Sequence, residues 1–571
     1  MGLSAGIAHA RNNNNMKITT KGIAAALCAG LALTAYADSN QVSPAEPSMT
    51  VRAGIIESLT RMAENDPTDA TIRLKLAMAL ESSGMLEEAQ WWRQDALDIN
   101  PEIVMTGVIE QGLDLPDLDA VSRGVGGTVC AQPVGPDVIV GDLHNLHRWG
   151  TSSGLTAYSV GTTSCNVGDE WLDWFDGETR HPVISQNMYK WEPFSVGDDN
   201  GRFKQLGQSW LKHGFFALSN NICCPSCTST NGQHLGIGCA DPYNATLNGT
   251  FSELGPRSEV DGSTGIINTY PPTLPSGDVT LRGRIQVANT ELDQTDPLNA
   301  ASAYVVDGLY IAGDDAKNGN AGNNTSFRTI SVSSSGDIHS ISFLGTTQRE
   351  TAAIEYWAQI EPGVTTQIVD VPFIVSGVGP FNGRFIVGDN ASDNGDGTWH
   401  YEFAVYNQNA ENACDGFSVP VPDGVTVSNI SFHDVDSHSG EPYDNTDWTG
   451  VRNTGDVSWD APAFSPSADR NAIRWGTLSN FGFDANTAPM TASTSLGLLD
   501  GASSPAFDVS APSALPPCPA DLNNDGLVDT ADLGILIGEF GTVGVLADVN
   551  NDGGVDTADL GILIAAFGAC P

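Results

Sequence analysis

The sequence predicts a mainly β protein of sandwich-like domains, preceded by an N-terminal helical hairpin and closed by a small α-helical C-terminal module. Three observations carry this expectation. From about residue 122 to 500 the chain runs in short Val, Ile, Thr, Tyr and Phe stretches separated by Gly, Asn, Asp and Pro, the texture of many short strands joined by turns. Residues 52–101 form the one long helical segment before the C-terminus. The last residues hold two copies of an Asp-rich loop, each followed by apolar residues at helical spacing.

Residues 1–37 read as an export signal whose true start is Met16. Met16-Lys17 and Lys21 supply a basic region, Gly22 to Ala35 an apolar run, and Ala35-Tyr36-Ala37 a small-x-small cleavage site before Asp38. No later apolar stretch is long enough to span a bilayer, so a secreted or cell-surface bacterial protein is expected. The net charge of −44, with 25 Lys and Arg in 571 residues, argues against nucleic acid and anionic membrane surfaces as partners, because both need clustered positive charge.

Residues 38–115 are expected to be helical. Within them Ala70 to Pro101 resembles one tetratricopeptide repeat, with Leu76, Ala77, Leu80, Gly84, Ala89, Ala96 and Pro101 at family positions and Arg73 and Arg93 where bulky apolar residues usually stand. Such repeats bury their faces against neighbouring copies. A lone copy therefore implies a helical hairpin packed on the next domain, with the two arginines open to a solvent-facing reading.

Residues 122–380 are expected to form a Cys/His-rich β domain, with strands at Asp137–Val140, Val279–Val287 and Ile338–Phe343. Six cysteines fall here: Cys130, Cys165, Cys223, Cys224, Cys227 and Cys239. The Cys224-Pro-Ser-Cys227 spacing suits zinc or redox chemistry, but an exported protein oxidises such cysteines, so three bridges of open connectivity are the favoured reading. His144, His147, His213 and His234 are the candidate ligands for copper or zinc, although packed histidines are the stronger expectation and a transition metal is not expected. Glu170, Asp173, Asp176 and Glu178, interleaved with tryptophans, are candidates for a glycosidase pair, but strand alternation sends Glu170 and Asp173 to opposite faces. Arg257 and Glu259 read equally as an ion pair or an active-site element.

Residues 381–499 are the size of a second β-sandwich. Its strand His400–Tyr406 follows Asp393-Asn-Gly-Asp-Gly-Thr398, where Asn-Gly and Asp-Gly supply hairpin-turn conformations. His433, Asp434, Asp436 and His438 could hold a cation, with an exposed loop as the plainer reading. Residues 500–517, rich in Ala, Ser and Pro, read as a linker. No Gly-x-Ser-x-Gly elbow, His-Glu-x-x-His zinc motif or phosphate loop occurs.

Residues 518–571 are the most specific part of the chain. Asp521, Asn523, Asp525, Asp529 and Asp532 repeat as Asp548, Asn550, Asp552, Asp556 and Asp559, at loop positions 1, 3, 5, 9 and 12. Glycine stands at position 6, and Leu527 and Gly554 offer backbone carbonyls at position 7. Hard cations such as calcium take six to eight oxygens in this pattern, so two calcium ions are expected. Leu533, Leu536, Ile537 and Phe540, and again Leu560, Leu563, Ile564 and Phe567, form a helical apolar stripe, leaving Ile535 and Ile562 as a candidate partner surface. Pro516, Pro517 and Pro519 break any helix before the first loop.

A loop followed by a helix, without a preceding helix and with Asp at position 12, resembles the dockerin module of secreted bacterial proteins. That resemblance implies calcium-dependent attachment to a cohesin-like or other surface protein, often in assemblies that degrade polysaccharide. It assigns partner recognition to Thr530-Ala531 and Thr557-Ala558, although the basic residues common later in such helices are missing. Cys518 and Cys570 bracket the module; a disulfide is the simplest reading and a processed or captured C-terminus the rival. The expected function is attachment of a β-rich body of unknown activity. The alternatives are an exported polysaccharide hydrolase and a secreted copper or zinc enzyme.

Overall fold

The computed structural model describes residues 133–195, 201–214, 216–375, 379–514, 518–523, 526–543, 546–550 and 552–570, together with Arg73, Leu76, Ala77 and Trp92. The export signal and most of the helical segment lie outside the described residues. The chain divides into two compact units, Met1–Asp117 and Leu118–Pro571. In the first, the four described residues are helical, and Arg73 is buried with its guanidinium over the Trp92 ring at 5.9 Å. The solvent-facing reading of Arg73 is therefore corrected: its guanidinium lies over an indole.

The second unit is mainly β, as expected. A four-stranded sheet combines Val138–Ser152, Leu155–Asn166, Ile285–Ala288 and Ala240–Tyr243. A seven-stranded antiparallel sheet runs Ile338–Phe343, Thr325–Ser335, Ala303–Ile311, Val183–Trp191, Leu211–His213 and Leu254–Gly255, with Phe203–Gln208 also paired to Val183–Trp191. A five-stranded sheet follows the order Thr365–Val375, Gly379–Asp393, Trp399–Asn407, Thr477–Ala485, Val427–His433. The fourth holds Thr449–Arg452, Asp456–Asp460, Cys414–Pro420 and Leu496–Leu498.

Side-chain alternation decides how these sheets stack. In the seven-stranded sheet Val306 and Ile330 enter a core shared with Val138, Val140 and Tyr158 of the first sheet. Their neighbours Val305 and Phe327 point the other way, into a core with Ile386, Ala404 and Tyr406 of the five-stranded sheet. That sheet repeats the device: Phe385, Phe403 and Val405 enter a third core with Phe417, Val457 and Trp459. Both central sheets are thus buried on two faces. Val183–Trp191 and Trp399–Asn407 accordingly show almost unbroken burial rather than an alternating pattern.

Three expectations change. The boundary at 380 falls inside one antiparallel pair, Thr365–Val375 with Gly379–Asp393, where Phe373 opposes Phe381. The second sandwich therefore includes residues from Thr365, and its outer face is fused to the first sandwich by the middle core. Residues 500–517 are not simply a linker: Phe507–Pro512 pairs with Pro489–Thr494, and Phe507, Val509 and Ala511 are buried. Alternate apolar residues in an Ala/Ser/Pro-rich run were the missed signal. The Val279–Val287 strand shortens to Ile285–Ala288, with turns before it. The turn at 393–398 forms as expected, with Gly395 and Gly397 at φ +73° and +93°.

Candidate metal centre

In the C-terminal module, Thr530–Glu539 and Thr557–Ala565 form the two expected helices. Each begins with the same reciprocal cap. Asp529 and Asp556 accept from the Ala531 and Ala558 N–H, at 2.6 and 2.7 Å, while Asp532 and Asp559 accept from the Asp529 and Asp556 N–H at 2.8 Å. A cap of this kind contributes about 1 kcal/mol to helix formation. Loop positions 9 and 12 thus start the helix as well as lying in the ligand pattern.

Both position-12 carboxylates are fully covered. Burial alone would raise the Asp532 pKa; the N–H groups of Asp529, Asn523 and Leu522 outweigh it and hold the group below its ordinary range. The Asp556 N–H does most to lower Asp559, with Asn550 adding to it. Asp521 and Asp548 accept from the Gly526 and Gly553 N–H, each at 2.9 Å. Those glycines have φ of +86° and +101°, a conformation a side chain would strain. Asp525 lies outside the described residues.

The two repeats enclose each other. Val555 exchanges backbone hydrogen bonds with the chain leaving the first helix, at Gly541 and Thr542. Val528 pairs in turn with Gly568, beyond the second helix. The core uses equivalent residues from both copies: Ala520 and Ala547, Leu522 and Val549, Val528 and Val555, Leu536 and Leu563. Cys518 and Cys570 form a disulfide with Cα atoms 5.9 Å apart, which answers the open question of their pairing.

The apolar stripe needs correction. Leu536 and Leu563 are buried and Leu533 and Leu560 pack partly on the core, but Ile537, Phe540, Ile564 and Phe567 are exposed. Ile535, expected outside, packs partly on the core, whereas Ile562 is exposed. Helices of nine and ten residues bury only a narrow face when two short loops fill the rest of the core. Thr530, Ala531, Thr557 and Ala558 are all exposed at the helix starts.

The loops offer only oxygen donors, with hard carboxylates and a glycine-permitted turn, and that donor set fits calcium. Among the described residues, their carboxylates are engaged by backbone N–H groups. Among the described residues, no three His, Cys, Asp or Glu side chains converge in a way that could hold a metal ion.

The body's candidate ligands are dispersed. His144 meets Thr163 at 3.2 Å, and burial pushes its pKa down to about 4. His147 sits edge-on to Trp149, with ring centroids 4.5 Å apart. His213 pairs instead with His181, Nδ1 to Nε2 at 3.0 Å, and burial pushes it down to about 3. His234 faces Asp173 at 3.4 Å, flanked by Trp171 and Phe175. His144 and His147 lie on one strand, whereas His213 and His234 lie on two others.

Cys165–Cys223 and Cys227–Cys239 are disulfides, and Cys224 is disulfide-bonded too. Cys130 lies outside the described residues, and Cys414 is a buried free thiol. Glu178 pairs with the exposed Arg180 at 2.6 Å. Arg257 binds the carbonyls of Ser209 and Gly476 and the Asn187 amide oxygen, whereas Glu259 takes the Thr273 N–H. Asp434 holds Asn471 at 2.7 Å, while His438 turns to the Arg284 carbonyl at 2.9 Å.

Two ionic groupings escaped the sequence reading. Buried His400 stands between Asp484 at 2.8 Å and Glu402 at 3.3 Å, and Glu402 pairs with Arg202 at 3.2 Å. Burial lowers the His400 pKa, but the two carboxylates outweigh it and raise it to about 9. The second grouping, Asp137 with Asp315, is wholly buried, and desolvation lifts Asp137 to about 6 and Asp315 well above its ordinary value.

No family model and no curated protein matches this chain. Among solved structures, a serine-rich repeat adhesion glycoprotein, Srr1, from Streptococcus agalactiae aligns over 68% of this chain and 100% of its own at 8% identity, with a TM-score of 0.16. So low a score carries no argument about fold or function.

Proposed function

We propose that this is a secreted calcium-binding protein whose C-terminal module attaches a β-rich body to a protein on a cell surface. The observation that supports it most is the pair of Asp-rich loops. They repeat the same oxygen positions, the same reciprocal helix caps and the same core residues across two copies. Calcium would be held by Asp521, Asn523, Asp525, Asp529 and Asp532 with the Leu527 carbonyl, and by Asp548, Asn550, Asp552, Asp556 and Asp559 with the Gly554 carbonyl. Neutralising these carboxylates favours the folded loops, so the cation would couple folding to attachment.

The resemblance to dockerins supplies the partner class, a cohesin-like or other surface protein. Support for a docking role comes from Ile537, Phe540, Ile562, Ile564 and Phe567, all large apolar side chains left exposed on a small module. The disulfides agree with an oxidising destination.

The test uses the full chain. Calorimetric titration of calcium into wild type should reveal two ions that disappear together when Asp521→Ala and Asp548→Ala are combined. Retention of the chain on the surface of cells that produce it should fall in chelator and in that double variant. Retention unaffected by either treatment would sink the attachment reading.

A further inference from the structure

The Asp137–Asp315 grouping in the body has the features of a cation site, on elements far in sequence from the C-terminal loops. Asp137 precedes the strand Val138–Ser152, and Asp315 lies in the short helix Gly313–Lys317. Asn323 and Asn324 follow on the loop that leads into the strand Thr325–Ser335. The two carboxylates are linked through consecutive residues on both sides. Asp137 Oδ2 accepts from Asn323 Nδ2 at 3.2 Å, and Asp315 Oδ2 accepts from Asn324 Nδ2 at 2.9 Å. Asp315 Oδ1 accepts from the N–H of Val138, the neighbour of Asp137, at 2.9 Å.

What remains is a set of oxygens without partners. Among the described residues, Asp137 Oδ1, Asn323 Oδ1 and Asn324 Oδ1 are buried and accept no hydrogen bond. Asp137, Asp315 and Asn324 are each 0 % exposed. Buried acceptors are nearly always satisfied, and a buried carboxylate without a counter-charge is among the costliest groups a fold can hold. No Lys or Arg side chain forms an ion pair with either carboxylate among the described residues. A cation relieves both deficits at once, supplying positive charge and occupying the lone pairs.

From this arrangement we infer that Asp137, Asp315, Asn323 and Asn324 bind one calcium ion that ties the start of the first strand to the 313–324 loop. Carboxylate and amide oxygens are hard donors, which excludes the soft-ligand metals. Calcium accepts irregular all-protein shells of this kind, whereas magnesium demands near-ideal octahedral geometry and usually keeps several waters. The inference is independent of the C-terminal loops.

The experiment is elemental analysis of the full-length chain carrying Asp521→Ala and Asp548→Ala, dialysed against calcium. One ion per chain is expected, lost when Asp315→Asn is added. Because Asp315→Asn also touches a strand N–H and could unfold the body, Asn323→Ala serves as a second variant. It keeps both carboxylates and should weaken calcium by about tenfold or more. A natively folded loop-disabled chain with no calcium overturns the proposal, and so does an ion unaffected by Asn323→Ala. Failure of the loop reading looks different: the unmodified chain would then hold this one ion only.

Discussion

The C-terminal module and the β body hold themselves together by opposite means. In the module, each buried core residue is matched by its equivalent in the other repeat, and the two covered acids, Asp532 and Asp559, are equivalents as well. In the body, each core and each ionic grouping joins residues far apart in sequence: Phe385 with Trp459, Arg202 with Glu402, His400 with Asp484. The module repeats a short instruction twice. The body depends on strand order and on two sheets buried from both sides. Local sequence logic should therefore govern the stability of the module and its response to acid, while the body should fail through single distant contacts.

The largest expected effect comes from a single distant contact. Trp459 is fully buried among Phe417, Phe481 and Phe483 and donates its indole N–H to the Ser431 carbonyl at 3.0 Å. Trp459→Ala should cost about 3–5 kcal/mol, read by urea denaturation followed by near-ultraviolet dichroism. Calcium binding by the module should persist in the same variant. Loss of both together would break the contrast between the regions.

Next in size is pH, where the two regions should diverge in sign. His400 is protonated more readily in the folded body than in the unfolded chain, its pKa rising from 6.5 to about 9. Its contribution is fully present below pH 6.5 and is lost as pH rises through about 9. It amounts to at most about 3 kcal/mol. His400→Gln should flatten that alkaline limb in thermal melts. Asp532 and Asp559 are shifted down from 3.8, so the stability they give is present above that value and lost as pH falls below it. Helix signal from the module should therefore decay in acid while the body's alkaline limb is unaffected. A common acid transition for both regions would contradict the comparison.

The smallest effect on stability is expected at the exposed face of the module. Ile537 and Ile564 are 61% and 56% exposed, so replacing both with Ser should change stability by no more than about 0.5 kcal/mol each. Surface retention should nevertheless weaken. Unchanged retention would remove this face from the docking surface and sharpen attention on Thr530, Ala531, Thr557 and Ala558.

Legibility followed the same divide. The loop positions and the two helices could be read because each is set by residues within a dozen positions of one another, whereas the reciprocal caps emerged only in the structure. The apolar stripe was misread at Ile537 and Phe540, since periodicity identifies an amphipathic face but not how much of it the rest of the fold covers. In the body the turn at 393–398 and the strand at 400–406 were legible from local chemistry. The histidines were not, because their partners, such as Thr163 for His144 and His181 for His213, come from other strands. A run of asparagines at 318–324 carried a signal for the buried oxygens, but only pairing with Asp137 gives it meaning.

By itself, the sequence determined the β-rich class, the duplicated loops with their oxygen sets and the abundance of cysteine in the first sandwich, since all of these are short-range or compositional. Tertiary structure alone decided that Thr365–Val375 belongs to the second sandwich, that the two sandwiches share a core, and which cysteines and carboxylates meet. The reason is physical: strands alternate their faces over two residues, but what covers each face is chosen by chain segments hundreds of residues away.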